Sequence, residues 1–376
     1  MQQGPRVEPN LVGGRVDGHH RSKKIGVLTF HRCINYGSYW QARCLVEGLR
    51  SRGHDAFLLD HVSSRINIAE WRCALRPTLP TPVSKSDSER YACKIRKFLA
   101  EFERLPLSAP FDIDHPERLA PMDAVVIGSD EVWNLQHPWY AGQAAFFGLG
   151  LPAERIVTYA ASFGNYSCWE GIGSPWTDLL SRLDAIAVRD ENSWWMLKNA
   201  LGIEPETVLD PCLQFPPTSE TAWSGPTKPF AVVYGHNFTP AFAHAGRRWA
   251  DSRKLLLLSV GYRNDWADSQ WIEAGPLEFA EAMRRCESVA TNFFHGCVFA
   301  LNNVKPFACE ISPYRSIKVR GLMGLLGGEA HLVADGSSES VGALLSQPIA
   351  DHLFERLQAV RDASDRYLSL SLETDA

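Results

Sequence analysis

"KKIGVLTFHRCINYGSYWQARCLVEGLRSRGHDAFLLDHV", residues 23–62, decides the fold class. "KKIGVLTF" (23–30) is apolar on both alternating faces, as a strand inside a parallel sheet must be. The polar loop "HRCINYGSYW" follows. Then come "QARCLVEGLRSRG", amphipathic at the helical period and closed by Gly53, and a second strand, "HDAFLLDHV". This is one β-loop-α-β unit, and open sheets of such units bind ligands in loops at the C-terminal ends of their strands. The loop here carries Asn35, Tyr36 and Gly37 but no GxGxxG, so it lacks a dinucleotide fingerprint.

The same grammar recurs along the chain. "MDAVVIGSDEVWN" (122–134) is a buried strand ending in a loop with Ser129 and Asp130, and "RIVTYAASFG" (155–164) ends in Ser162 and Gly164. "LDAIAVRDENSWWMLKNALG" (183–202) reads as a strand, then Arg189, then a helix ended by Gly202. "ETVLDPCLQF" holds a short strand before Asp210-Pro211. Between these, the Pro- and Ser-rich residues 63–90 read as an irregular surface insertion. "YACKIRKFLAEFERL" (91–105) reads as a helix with Ile95, Phe98, Leu99, Phe102 and Leu105 toward the core and its cations in solvent.

Periodicity stops at "PPTSETAWSGPTKP" (216–229), which reads as a linker. Beyond it come a strand at 230–234, a helix near 240–251 and the strand "KLLLLSVG" (254–261). Residues 275–311 give helix, strand, turn, helix and strand, and a closing helix covers 349–370. The expected organisation is a mobile leader (1–23), a Rossmann-like domain (24–215), the linker (216–229), a second Rossmann-like domain (230–348), and a C-terminal helix and tail (349–376). Two α/β domains on a linker form a cleft, the usual place for a small-molecule site.

Composition bounds the function. The chain has 376 residues, 45% of them hydrophobic and 22% charged, with a net charge of −5. That excludes a dedicated nucleic-acid binder, which carries a basic excess, and it excludes disorder. No apolar run approaches the roughly 20 residues of a membrane span, and no secretory leader is read at the N-terminus. Nine cysteines without a CxxC pair point to reduced thiols in a cytoplasm and not to structural zinc. The twelve tryptophans are read as packing.

Taken together, "IGVLTFHRCINYGSYWQARCLVEGLRSRGHDAFLLD", "DAVVIGSDEVWN", "YAASFG", "IAVRDENS", "VLDPCL" and "TNFFHGCVFALNNVKPF" resemble the polysaccharide pyruvyl transferases in order and spacing, over roughly 25–330. The resemblance implies an α/β fold like that of B-type glycosyltransferases, two Rossmann-like domains facing across a cleft. It also implies transfer of a pyruvyl group from phosphoenolpyruvate to a sugar, commonly as a cyclic ketal. The implied partners are phosphoenolpyruvate as co-substrate, with no resident cofactor or metal, and a sugar or lipid-linked glycan at the inner membrane face. A nucleotide-sugar glycosyltransferase of the same architecture and a non-catalytic binding module are the competing readings.

Residue chemistry bears on the same expectation. Phosphoenolpyruvate carries a carboxylate and a phosphate, and Arg189, between a buried strand and a helix, is placed to fork two oxygens. The plain alternative is an arginine paired with Asp184 or Asp190. His295 lies at the start of the helix "GCVFALN", where free N–H groups and the helix dipole favour an anion and Gly296 would let a ligand approach. An imidazole there could deliver or take the proton that pyruvyl transfer requires. A lone histidine in an apolar run is otherwise a core residue, but its "FHG" match to the family assigns it to chemistry.

On the donor side Phe294, Lys318 and Arg320 join these two, with Arg315 nearby, although a solvated charge cluster is the plainer account of the cations. On the acceptor side stand Asn35, Tyr36, Gly37, Ser129, Asp130 and Ser162, each with a turn or helix-capping role as the alternative. Cys297 is two residues from His295, a spacing that does not by itself bring the side chains together. The chain departs from the family at Phe293, often serine or arginine, at Glu131, often glutamine, and at Asn292, often aspartate.

Overall fold

The computed structural model describes residues 22–218, 221–311, 316–334 and 338–373. Most of the expected leader, and Arg315, lie outside the described residues. The first sheet contains β1 (Lys24–Leu28), β2 (Asp55–Leu58), β3 (Met122–Ile127) and β4 (Ala153–Thr158), all parallel in the order β2-β1-β3-β4. A short parallel pair, β5 (Ala187–Val188) and β6 (Glu206–Thr207), continues it through single bridges from Val157 to Ala185 and from Ala161 to Val188. The second sheet contains β7 (Phe230–Tyr234), β8 (Leu256–Val260), β9 (Ser269–Trp271), β10 (Val289–Thr291), β11 (Phe307–Glu310) and β12 (Leu332–Val333). These are also parallel, in the order β12-β11-β10-β7-β8-β9.

The chain is therefore α/β, built as two Rossmann-like halves. Ile25, Val27, Val125, Val126, Val232 and Val233 are all fully buried, as strands covered by helices on both faces require. Each sheet has a point where strand order reverses. In the first it lies between β1 and β3, in the second between β7 and β10. Loops diverge at such points and leave a crevice at the C-terminal strand ends.

Two local readings change. Helix α1 (Tyr36–Ser51) starts at Tyr36 rather than Gln41, because the Asn35 side chain accepts from the N–H groups of Gly37 and Ser38 and so caps it. Residues 63–90 are not irregular: Ser63 caps α2 (Ser64–Leu75) and Ser84 caps α3 (Lys85–Phe102). The prolines fall in the turn between those two helices.

The halves are joined by more than the chain. Tyr36 donates its hydroxyl to Ala274 O at 2.6 Å and stacks on Phe279, while Trp40 Nε1 donates to Pro276 O at 3.0 Å. Burying each such aromatic is worth about 1.5–3 kcal/mol. The final helix, Asp351–Leu372, returns to the first half, where the Tyr367 hydroxyl meets Thr158 O at 2.7 Å and Arg155 Nε meets Ser371 O at 2.6 Å. No helix among the described residues is long and apolar enough to cross a membrane.

Candidate functional site

The loops at both switch points converge on one cavity of about 530 Å³. Asn35 reaches it from the end of β1, Asp130 and Glu131 from β3, Arg189 from β5 and His236 from β7. Phe294 and His295 come from β10, and Lys318 from the helix Ser316–Leu326 that follows β11. A smaller cavity of about 250 Å³ adjoins it and shares Asn35, Glu131, Phe294, His295 and Lys318.

Arg189 is nearly solvent-free and lies between two carboxylates, with one terminal nitrogen 3.0 Å from Asp210 Oδ2 and the other 3.2 Å from Asp130 Oδ1. Its pairing is thus neither with Asp184 nor with Asp190. Its Nε has no hydrogen-bond partner, and the guanidinium carbon stands 5.0 Å over the Phe294 ring. Asp130 takes the left-handed conformation at φ 77°, which aspartate tolerates better than most residues, and is held there by Ser38 Oγ at 2.8 Å.

His295 Nε2 faces Asp210 Oδ2 at 3.6 Å, beyond hydrogen-bond length but within strong electrostatic reach, and is otherwise unpartnered. The ring lies against Gly37, where an added Cβ would come within 2.0 Å of Nδ1. Gly37 is therefore needed for α1 to approach the imidazole. Lys318 pairs with Glu131, which also accepts from Asn134 Nδ2 at 2.9 Å.

Burial pushes the Asp210 carboxyl up, but His295, Arg189 and the Cys212 N–H outweigh it and hold it at about 2. Glu131 is also at about 2, burial again opposing and Lys318 dominating the other direction. Burial, reinforced by His31, lowers the His61 imidazole to about 3. All three groups bind protons more tightly when unfolded, so their contribution to stability is complete above the unfolded values and is lost as pH falls. Urea unfolding followed against pH should show stability declining steeply from about 4.5 toward 2 through the carboxylates, because above that range the His61 loss is opposed by Glu70, whose carboxyl burial raises to about 7. A flat profile from about pH 4.5 to 2 would contradict these placements.

Several expected site residues do not line the cavity. Ser129 and Ser162 are fully buried, donating to Gln41 Oε1 and Asp190 Oδ2 at 2.6 Å each, so their hydroxyls tie loops together. The Tyr36 hydroxyl is engaged by Ala274. Gly296 is required by Thr291, whose Oγ1 would lie 2.0 Å from an added Cβ, and does not open the backbone to a ligand. Arg320 points to solvent. Of the acceptor-side set, only Asn35 and Asp130 reach the cavity wall, and of the donor-side set Arg189, Phe294, His295 and Lys318 do.

The sequence reading missed Glu70 and Lys94, two buried ionisable residues in the same wall, and the Asp210 carboxylate that joins Arg189 to His295. Asp210 follows a strand end, as the other site residues do, and that position was its available signal. Phe293 packs edge-on against Tyr234, His236 and Tyr262, so an aromatic cluster stands where the family often has a polar side chain. Among the described residues, Asp210, Cys212 and His295 place possible metal-ligand atoms within 4.8 Å of one another. A cation there would compete with Arg189 for the same Asp210 oxygen.

Residues 35–310 match the family described as polysaccharide pyruvyl transferase. No curated protein matches the chain in sequence. Among solved structures, UDP-GlcNAc 2-epimerase from Methanocaldococcus jannaschii aligns with a TM-score of 0.47 and 11% identity, over 92% of this chain and 99% of that one. The glycosyltransferase SnogD from Streptomyces nogalater aligns at 0.42 and 13%, over 93% and 100%. A Thermobaculum terrenum O-GlcNAc transferase mutant aligns at 0.39 and 12%, over 95% of this chain and 65% of that one. At scores of this size nothing about activity passes from these proteins to this chain.

Proposed function

We propose that this chain, which belongs to the polysaccharide pyruvyl transferase family, moves the pyruvyl group of phosphoenolpyruvate onto hydroxyls of a glycan or glycan precursor and closes it as a cyclic ketal. The observation that supports this most directly is that Arg189 and His295, from different halves, line one cavity with Lys318. A group transfer between two substrates needs a crevice that both can enter and a proton carrier beside the reacting carbon.

The charges in that cavity divide the work. Arg189 already balances Asp130 and Asp210, so its role is to fix the carboxylate that faces His295, while its buried Nε has no partner within the protein. Lys318 can exchange Glu131 for the donor's phosphate. No side chain caps the helix Phe294–Asn302, so its first N–H groups add to the anion site. His295 gives a proton to C3 of the donor, which develops positive charge at C2 for the sugar hydroxyl to attack. Asn35 and Asp130 are placed to contact the acceptor. The enzyme works in the cytoplasm without a resident cofactor, and a lipid-linked acceptor would bring it to the inner membrane face.

Phosphoenolpyruvate at a hundredfold excess over its dissociation constant should stabilise the protein by about 2.7 kcal/mol. Phosphate should be released only when an acceptor from a glycan panel is added. A thermal shift with UDP-sugars and none with phosphoenolpyruvate would replace this reading with a nucleotide-sugar glycosyltransferase.

A further inference from the structure

Glu70 and Lys94 have no part in the chemistry above, yet both line the larger cavity and neither lines the smaller one beside it. Glu70 is carried by α2 and is 8% exposed. Its Oε1 accepts the Ile34 N–H at 2.7 Å, which fixes the carboxyl, while the buried Oε2 has no hydrogen-bond partner. Buried carboxylate oxygens are rarely left unmatched, and one in a cavity wall asks for a donor from the ligand. Lys94, on α3, is 3% exposed and donates to Gly261 O of the second half at 3.1 Å. Its ammonium stands 4.7 Å from the Tyr36 ring centre and 4.5 Å from that of Tyr262.

We propose that Glu70 and Lys94 form the acceptor-hydroxyl subsite of this cavity, with Glu70 Oε2 taking the proton from the attacking sugar hydroxyl. This rests on the pyruvyl-transfer reading and deepens it. A sugar hydroxyl supplies the donor that Oε2 lacks, and the Lys94 ammonium in the same wall acts on that carboxyl through its charge.

Protons and electron pairs balance in two steps. The first hydroxyl oxygen bonds to C2 as its proton passes to Glu70, while C3 receives a proton from His295. The C2–O bond to phosphate then breaks, phosphate leaves with the electron pair, and it takes the proton held on Glu70. The second hydroxyl attacks C2 and returns a proton to His295. Both side chains end as they began, and the two hydroxyl protons have gone to C3 and to phosphate.

The surroundings suit this exchange. Burial raises the Glu70 carboxyl to about 7 against the Ile34 N–H and Lys94, and burial lowers Lys94 to about 7 against the charge of Glu70. The other titratable groups facing Glu70 are Cys33, Cys73 and Tyr140, and those facing Lys94 include Tyr36 and Tyr91. Burial raises all of these, which keeps them neutral at pH 7.

The test compares wild type with Glu70→Gln, Glu70→Asp and Lys94→Met. Phosphoenolpyruvate affinity should stay within about twofold in Glu70→Gln while acceptor-dependent kcat falls about 10²-fold and the acidic limb of the kcat/KM profile disappears. Glu70→Asp should recover part of the rate, and Lys94→Met should raise KM for the acceptor. Wild-type turnover with an unchanged pH profile in Glu70→Gln would overturn the proposal, as would a parallel loss of donor affinity. If wild type neither binds phosphoenolpyruvate nor releases phosphate, it is the pyruvyl-transfer reading that fails. The subsite is then decided by binding of methyl β-galactoside and methyl α-mannoside. Weakening of about tenfold in Glu70→Gln supports it, and equal affinity overturns it.

Discussion

His295→Ala lowers acceptor-dependent phosphate release from phosphoenolpyruvate by about 10²-fold or more, which corresponds to about 2.7 kcal/mol of barrier. The expectation follows from where the ring is held. Gly37 presses on one edge, Phe294 packs beside it, and Asp210 faces Nε2 at 3.6 Å. A ring so confined is held in one orientation in the cavity wall. Alanine leaves the Asp210–Arg189 pair intact, so circular dichroism should show the fold retained while turnover falls. Donor affinity should drop less than kcat, because Lys318 and the helix N–H groups remain. An unchanged rate removes His295 from the mechanism. A rise in donor KM at constant kcat makes it a binding group only.

Why the sequence pointed to His295 and Arg189 as lining one cavity but not to Glu70 and Lys94 has a physical explanation. Residues at the C-terminal ends of parallel strands are readable because strand, loop and helix periodicities bracket them, and the sheet brings those loops together whatever lies between. Thus "VRD" after β5 and "FHG" after β10 meet in one cavity. Glu70 and Lys94 sit inside helices, where a charged residue normally marks the solvated face. Yet Lys94 lies one turn before the buried Phe98, and Glu70 one turn after the buried Ile66, so each falls on an apolar stripe. That placement was the legible signal, and it was overridden by the basic composition of α3 and the prolines around α2.

Loop hydroxyls misled in the opposite sense. Ser129, Ser162 and Tyr36 stand in the right loops, but their partners are Gln41, Asp190 and Ala274, 88, 28 and 238 positions away. Which way a hydroxyl points is fixed by such distant partners, and local sequence does not encode them.

Arg189→Met should act first on stability, and this is where the structure changes the expectation most. The guanidinium is 2% exposed and lies between Asp210, fully buried, and Asp130. Removing it strands two carboxylates in a low-dielectric site, and breaking a buried pair from one side costs about 3–5 kcal/mol. At least one carboxyl then gains stability by protonating in the folded state, so its folded pKa rises above the unfolded one. The sign of the pH dependence follows: the deficit should shrink as pH falls from 7.5 toward 5. Urea unfolding of both proteins across that range measures it. A variant as stable as wild type at pH 7.5, but without phosphoenolpyruvate affinity, would mean that Arg189 is free for the donor and that the carboxylate clamp is not its main partner. A large deficit that narrows in acid would make Arg189 the keystone that aims Asp210 at His295, and would transfer the donor's phosphate to Lys318 and the helix start.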